Sequence, residues 1–235
     1  MQDLNPALAN LPVIGTHMRP NLELIAGYNP DLVIQLHGRT EANLQAETLR
    51  KLGLNVAQFN LNSFQDIWDV TRILGEITEQ SAQAYLSIAT WQKRLKDIES
   101  RHLNLKPISM VFEIRSPELL VAGTKNIASE IMRIAGAKNV ITVDKKIVRI
   151  NEEEIIRLNP WAYVIQKGPM NPNPIPLLER PNLKILKAAQ DGRTLIVDEE
   201  IFSRPGPTVI DACDLLERWL HKRDWQDNQE SLTKP

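Results

Sequence analysis

The chain has 235 residues, of which 43% are hydrophobic and 24% charged, and this composition is typical of a globular protein with one or two domains. The 28 basic and 29 acidic residues give a formal net charge of -1, so nothing in the charge balance favours binding to a nucleic-acid backbone. No apolar run of about 18 residues occurs, and the sequence therefore predicts no bilayer span.

Neither the N-terminus nor the single cysteine indicates in which cellular compartment the protein acts. Met1 to Pro6 has neither a basic region nor an apolar stretch, so it is not a signal peptide. Cys213 has no partner for an internal disulfide, and we interpret it as a small buried side chain in a helix.

The first third of the chain alternates strand and helix. Residues 32–36 form a continuous apolar run that predicts a strand covered on both faces of its sheet. A helix over 40–52, closed by Gly53, and a strand over 56–59 follow. Ser63 and Asp66 then predict a capping box at the start of the next helix. This order is typical of a parallel α/β sheet.

A long helix is predicted over residues 79–101, because this stretch has no Gly or Pro and its apolar residues recur at helical spacing. Such a helix would be about 35 Å long, enough to run along two lobes. After Pro107 the alternation restarts, with strands at 108–114, 161–166 and 194–197. The helices of this part are predicted at 126–135, 152–158, 183–189 and 207–222.

These elements predict a first lobe over 1–77, an interlobe helix over 78–104, a second lobe over 105–222 and a flexible tail over 223–235. The first lobe has only two clear strands, which would leave an apolar edge or face exposed. We therefore expect it to be incomplete, with an opening strand or two once preceding Met1.

Several segments then follow one another in a recognisable order. They are Pro12-Val-Ile-Gly15, Pro20-Asn-Leu-Glu-Leu-Ile25, Asn29-Pro-Asp-Leu-Val-Ile34, Leu52-Gly-Leu-Asn-Val56, Val121-Ala-Gly-Thr-Lys-Asn-Ile127, Asn159-Pro-Trp-Ala-Tyr-Val-Ile165 and Ser203-Arg-Pro-Gly-Pro207. The series resembles the substrate-binding proteins of ABC importers for cobalamin and ferric siderophores. The resemblance extends over roughly residues 12–220.

This resemblance implies an α/β fold of two Rossmann-like lobes bridged by one long helix, with the ligand in the cleft between the lobes. It implies a periplasmic or extracytoplasmic protein that binds an iron-siderophore, haem or corrinoid-type chelate and delivers it to the membrane permease subunits. The chelate would be a ligand, not a cofactor. Family members open with a secretory signal or lipobox, which is absent here, so the chain is expected to be N-terminally truncated.

The resemblance places the ligand-binding residues in loops that follow the strand ends. Cations in these loops suit carboxylate, catecholate or phosphate groups. The candidates are His17, Arg19, His37, Arg39, Arg115, Lys167 and Arg204. His17 and Leu36 stand where cobalamin binders tend to place tryptophans, which favours an iron chelate. The two histidines could ligate haem iron, yet without nearby carboxylates they predict no metal site in the protein itself.

Other residues have simpler interpretations. His102 and His221 are expected on helix surfaces, and Trp68, Trp91, Trp161 and Trp219 in structural packing. The proline-rich stretch 168–176 is either a cleft rim or a plain surface loop.

The resemblance also implies an acidic residue on each lobe that docks to the permease. Glu23 matches the first position. The second falls at Ser203, which is uncharged, with Glu199 and Glu200 close by.

Two alternatives remain open from the sequence. One is a cytosolic relic or sensor on the same fold, and the other a chelatase-like enzyme. An enzyme is disfavoured because the sequence lacks a phosphate-binding glycine loop, a nucleophile elbow and a cysteine cluster.

Overall fold

The structure, a computed structural model, describes residues 10–16, 19–37 and 40–221. It confirms an α/β fold. The chain divides into two compact units, Met1–Leu61 and Asn62–Pro235, which we call the smaller and the larger unit. The described part of the smaller unit contains a two-stranded sheet, and that of the larger unit a six-stranded one.

The smaller unit alternates helix and strand, as predicted. Its elements are α1 (Leu22–Tyr28), β1 (Val33–Leu36), α2 (Thr40–Lys51) and β2 (Val56–Phe59). The two strands pair in parallel with Val33 opposite Val56. Ile25 of α1, Leu49 of α2 and Leu54 form the small buried core.

Strand β1 is covered on one face only, so the prediction that both faces are buried is wrong. Burial alternates along the strand, and the side chains of Ile34 and Leu36 are 54% and 49% exposed. Val33, in contrast, packs against the core. A helix layer on one side of a two-stranded sheet can bury only alternate residues. The apolar face predicted for the first lobe is therefore present.

The larger unit begins with two helices and continues as a sheet with flanking helices. Its elements are α3 (Phe64–Ile77), α4 (Ser81–Ser100), β3 (Ile108–Arg115), β4 (Leu120–Ala122), α5 (Ile127–Ile134), β5 (Ala137–Asn139), β6 (Ile147–Arg149), α6 (Glu152–Leu158), β7 (Ala162–Lys167), α7 (Lys187–Gln190), β8 (Thr194–Asp198), α8 (Glu199–Phe202) and α9 (Val209–Leu220). Short 3₁₀ turns lie at Leu177–Glu179 and Leu183–Ile185.

The strands of the larger sheet run in the order β6-β4-β3-β7-β8, and β5 pairs with β3 as well. β3, β7 and β8 are parallel, so their carboxyl ends meet at one edge. β4 is antiparallel to both β3 and β6. β3 and β7 are buried over most of their length because helices cover a parallel sheet on both faces.

A capping box and stacked aromatic rings stabilise α3 and α4, the two helices that begin the larger unit. Ser63 and Asp66 form the predicted capping box at the start of α3. The ring of Trp68 stacks on Phe64 and on Trp91 of α4, with centroid distances of 6.0 and 5.7 Å. The structural interpretation of these two tryptophans is thereby confirmed.

The long predicted helix exists as α4, twenty residues from Ser81 to Ser100. The division at Leu61 groups both α3 and α4 with the larger unit, whereas the sequence placed α3 in the first lobe. That α4 bridges two lobes remains a prediction. The predicted tail, 223–235, lies outside the described residues.

The prediction of one continuous helix over 183–189 is wrong. The chain makes a 3₁₀ turn at Leu183–Ile185, becomes extended at Leu186, and only then enters α7. Leu183, Leu186 and Ala189 are all buried in one cluster, and the break at Leu186 accompanies this packing.

Among the described helices, none combines the length and the apolar character needed to cross a membrane.

Candidate functional site

Charged residues gather at the carboxyl edge of the larger sheet. β3 ends at Arg115, β7 at Lys167 and β8 at Asp198. Lys167 lies directly opposite Asp198 in the β7–β8 pairing. Glu113 of β3 lies opposite Ile165 of β7. Arg115 and Lys167 each come two residues after this pair in their own strands. Ligands of open α/β sheets bind at this edge, so it is the candidate site of the larger unit.

The two arginines at this edge, Arg115 and Arg204, each form an ion pair with a carboxylate. Arg115 forms an ion pair with Glu118, which also binds Arg149 at 3.0 Å. Arg204, just after α8, binds Glu200 at 2.7 Å. The side chains of Arg115 and Arg204 are each 34% exposed, so both remain open to solvent. An anionic ligand would have to share or replace these carboxylate partners.

A buried amide joins the loops that follow β7 and β8. Gln166 is 2% exposed, and its side-chain amide donates to Oε2 of Glu199 at 3.3 Å. The Ser203 hydroxyl donates to the Gln166 side-chain oxygen, and the Asn171 amide donates to the Gln166 main-chain carbonyl at 2.9 Å. At Gly168 any side chain would collide with the Glu199 carboxylate. These contacts fix both loops in one arrangement.

The acidic residues considered for permease docking differ in accessibility. Glu23 is exposed in the first turn of α1. Ser203, at the second position, is engaged with Gln166, and Glu199 is bonded to the same amide. Glu200 is partly exposed beside Arg204.

The remaining candidates belong to the smaller unit. Arg19 is exposed in a tight turn in which its N–H donates to the Thr16 carbonyl at 3.1 Å. His37 is exposed just after β1, and its N–H donates to the Phe59 carbonyl at 2.8 Å. Arg19 thus lies in a turn and His37 at a strand end of the smaller unit, and their role in ligand binding stays a prediction. His17 and Arg39 lie outside the described residues.

His102 and His221 are not plain surface residues, and that expectation is wrong. Their rings stack with centroids 5.3 Å apart. Nε2 of His102 is 2.9 Å from the Ile134 carbonyl, and Nε2 of His221 is 3.2 Å from the Ala135 carbonyl. Burial lowers the pKa of His221, with His102 adding to the effect. Both rings therefore contact main-chain carbonyls at the carboxyl end of α5.

A second buried polar cluster was not predicted from the sequence. Glu113, Tyr163 and Arg180 meet inside the larger unit, where Glu113 is 0% and Arg180 6% exposed. The pKa of Tyr163 lies well above its ordinary value because the hydroxyl is buried beside the Glu113 carboxylate. A carboxylate inside the apolar run of residues 110–114 is a feature that could have predicted a buried partner.

No group of three or more His, Cys, Asp or Glu side chains in the described ranges is placed to hold a metal ion.

Comparisons with known proteins agree with this architecture. The family model described as periplasmic binding protein matches residues 2–200. The chain therefore belongs to the periplasmic binding protein family. An uncharacterised ABC transporter substrate-binding lipoprotein, YvrC of Bacillus subtilis, is 24% identical over 205 residues, which are 85% of this chain and 64% of that protein. The chain thus spans less than two thirds of the length of this relative.

Two further similarities concern proteins named for their ligands. The vitamin B12-binding protein of Vibrio cholerae is 20% identical over 225 residues, 93% of this chain and 78% of that protein. The crystal structure of S. aureus IsdE complexed with heme matches with a TM-score of 0.79 at 19% identity, covering 93% of this chain and 87% of that one. At this identity the structural likeness establishes the fold.

Proposed function

We propose that the chain is the substrate-binding component of an ABC importer and that it binds a metal chelate without changing it chemically. The observation that carries the proposal is the group of cations at the carboxyl edge of the larger sheet: Arg115, Lys167 and Arg204. Membership of the periplasmic binding protein family and similarity to a protein named as an ABC transporter substrate-binding lipoprotein support this role.

The proposed ligand is a ferric siderophore, haem or a corrinoid, and we place an anionic iron chelate first. Arginine suits carboxylate and catecholate oxygens because its planar guanidinium donates two parallel hydrogen bonds. Relatives named for haem and for vitamin B12 extend the class to the other two chelates. Arg19 and His37 of the smaller unit are proposed as further ligand contacts, together with His17 and Arg39.

Delivery to a membrane permease is the second part of the proposal. Glu23 is exposed, and Glu200 is partly exposed on α8. Exposed carboxylates of this kind suit arginines on a partner because charge complementarity guides association. The same role implies that the protein acts outside the cytoplasm, attached to or near the membrane.

Quenching of tryptophan fluorescence tests ligand capture directly. The protein would be titrated separately with haemin, a ferric tris-catecholate and cyanocobalamin, and the bound chelate would then be released and analysed. We expect saturable binding of at least one chelate, recovered with its metal and ring intact. If none of the three bound, the proposal would be wrong, and recovery of a metal-free or altered product would favour the chelatase alternative.

A further inference from the structure

Glu113 and Arg180 form an ion pair in the interior of the larger unit. Nη1 and Nη2 of Arg180 donate to Oε2 and Oε1 of Glu113 at 2.6 and 2.8 Å. The Tyr163 hydroxyl donates to the same Oε2 at 2.6 Å. Removing two charges from water is so unfavourable that a buried pair contributes little more stability than apolar residues of the same size. The role of this ion pair is therefore to orient a neighbouring group rather than to stabilise the fold.

The third contact of Arg180 shows what is oriented. Its Nε donates to the main-chain carbonyl of Ile175 at 2.8 Å. A guanidinium holds its donors in one rigid plane, so two bonds to Glu113 fix the direction of the third. Through Arg180, strand β3 thus holds the main chain of the segment that follows β7.

That segment, residues 168–176, has few other means of support, and we call it the proline loop. Four of its residues are prolines, which lack an N–H and cannot join a hydrogen-bonded ladder. Its first turn is closed between Gly168 and Asn171, and the Asn171 amide donates to the Gln166 carbonyl at 2.9 Å. Asn171 therefore anchors one end of the loop and Arg180 the other. Met170, next to the first anchor, and Ile175, at the second, are 41% and 47% exposed.

The proline loop leaves β7 directly after Lys167, at the edge that carries the candidate site. We infer that Arg180, oriented by Glu113 and Tyr163, is a positioning residue that holds the proline loop as a preformed wall of the ligand site. This inference rests on the proposed function. If the proline loop is already ordered, no conformational entropy is lost in ordering it when the ligand binds. The affinity for the ligand is then higher without any additional contact.

The test replaces the polar cluster with apolar residues of similar shape in the full chain, as the triple variant Glu113→Leu, Tyr163→Phe, Arg180→Met. We expect its urea midpoint to stay near that of the wild type. Amide exchange over residues 168–180, which include the proline loop and the turn after it, should accelerate at least tenfold, while the strands at 108–115 and 162–167 keep their protection. The dissociation constant of the chelate that the wild type binds should rise at least tenfold.

Arg193→Met is the matched control. Arg193 is also largely buried, donates its Nε to the Trp161 carbonyl at 2.8 Å and pairs with Asp191, yet it lies at the amino end of the same strands. It should alter neither exchange in the proline loop nor chelate affinity. Should the triple variant not fold, Arg180→Lys keeps the charge but loses the forked geometry, and it should show the same two changes.

The two readouts separate this inference from the proposed function. Exchange requires no ligand, so a wild type that binds none of the three chelates refutes the function while the anchor is still measured. Unchanged exchange over residues 168–180 in a folded variant would overturn the anchor. A mobile loop with unchanged affinity would overturn its role in binding.

Discussion

Gly136 is a position where one added methyl group should have a large effect on stability that can be calculated from the structure. Its φ is +83°, a conformation that residues with a side chain rarely adopt. A β-carbon there would lie 2.8 Å from Nδ1 of His102 and 2.8 Å from Nε2 of His221. Neither ring can withdraw without losing its contact with the carbonyl of Ile134 or Ala135.

The destabilisation of Gly136→Ala has two parts. The left-handed backbone costs roughly 1–2 kcal/mol for an L-residue. Forcing a methyl group into a packed site adds about 1–3 kcal/mol, so the sum is about 2–5 kcal/mol. Gly192 supplies the control, since its φ is +68° and nothing lies within 4 Å of an added β-carbon. Gly192→Ala should therefore lose only the backbone part, about 1–2 kcal/mol.

Urea unfolding followed by circular dichroism measures both variants in the full chain. The account requires Gly136→Ala to be the less stable of the two by at least about 1 kcal/mol. Equal losses for the two alanines would show that the histidine pair does not confine this turn, and the reasoning would fail.

Three further predictions use other parts of the larger unit. Burial lowers the pKa of His221 below the ordinary value of 6.5, so the unfolded chain binds this proton more readily and the free energy of unfolding falls as pH drops below about 6.5. His221→Gln should therefore lose less unfolding free energy than the wild type between pH 7 and 5. Equal slopes of unfolding free energy against pH would contradict this. Ser63→Ala removes the hydroxyl that caps α3 and should lower the unfolding free energy by about 1 kcal/mol, whereas Ser63→Thr should keep most of it. Burial raises the pKa of the Cys213 thiol, so a disulfide reagent should modify it only after unfolding, and rapid modification of the native protein would refute its burial.

Regular elements were predictable wherever a strong local pattern existed. The capping box at Ser63, the uninterrupted stretch that became α4 and the apolar run that became β3 all appear within a residue or two of their predicted bounds. In these cases the periodicity of apolar side chains and the cap chemistry act over a few residues. Local sequence then decides the structure.

Elements fixed by distant partners were not predictable. β4, β5 and β6 have three residues each, too few for a periodic pattern, and they exist because they pair with β3 or with each other. The exposure of Ile34 and Leu36 likewise depends on which elements cover the sheet, which composition alone does not specify.

The candidate site was predictable at the level of strand ends. Arg115 and Lys167 could be placed at one edge because parallel strands align their carboxyl ends. Their partners could not be foreseen, since the Arg115–Glu118 and Arg204–Glu200 pairs depend on loop conformation. The anchor at Arg180 was also missed, because it lies 67 residues from Glu113 in the chain.

The central claim is that a chelate binds at the carboxyl edge of the larger sheet, and matched double variants test it. A charge-assisted bond to ligand is worth about 1.5–3 kcal/mol. Each arginine already gains up to about 1 kcal/mol from its exposed carboxylate, which leaves about 0.5–2 kcal/mol for the ligand.

The decisive measurement is calorimetric titration of the chelate that the wild type binds into Arg115→Ala/Arg204→Ala and into Arg157→Ala/Arg72→Ala. Arg157 and Arg72 form comparable exposed pairs with Glu154 and Glu76 within helices α6 and α3, and neither directly follows a strand of the larger sheet. The first double variant should bind roughly 5- to 1,000-fold more weakly, because about 1–4 kcal/mol is lost in total. The control should stay within about threefold of the wild type, a difference below 1 kcal/mol. Equal affinity for both double variants would contradict the site.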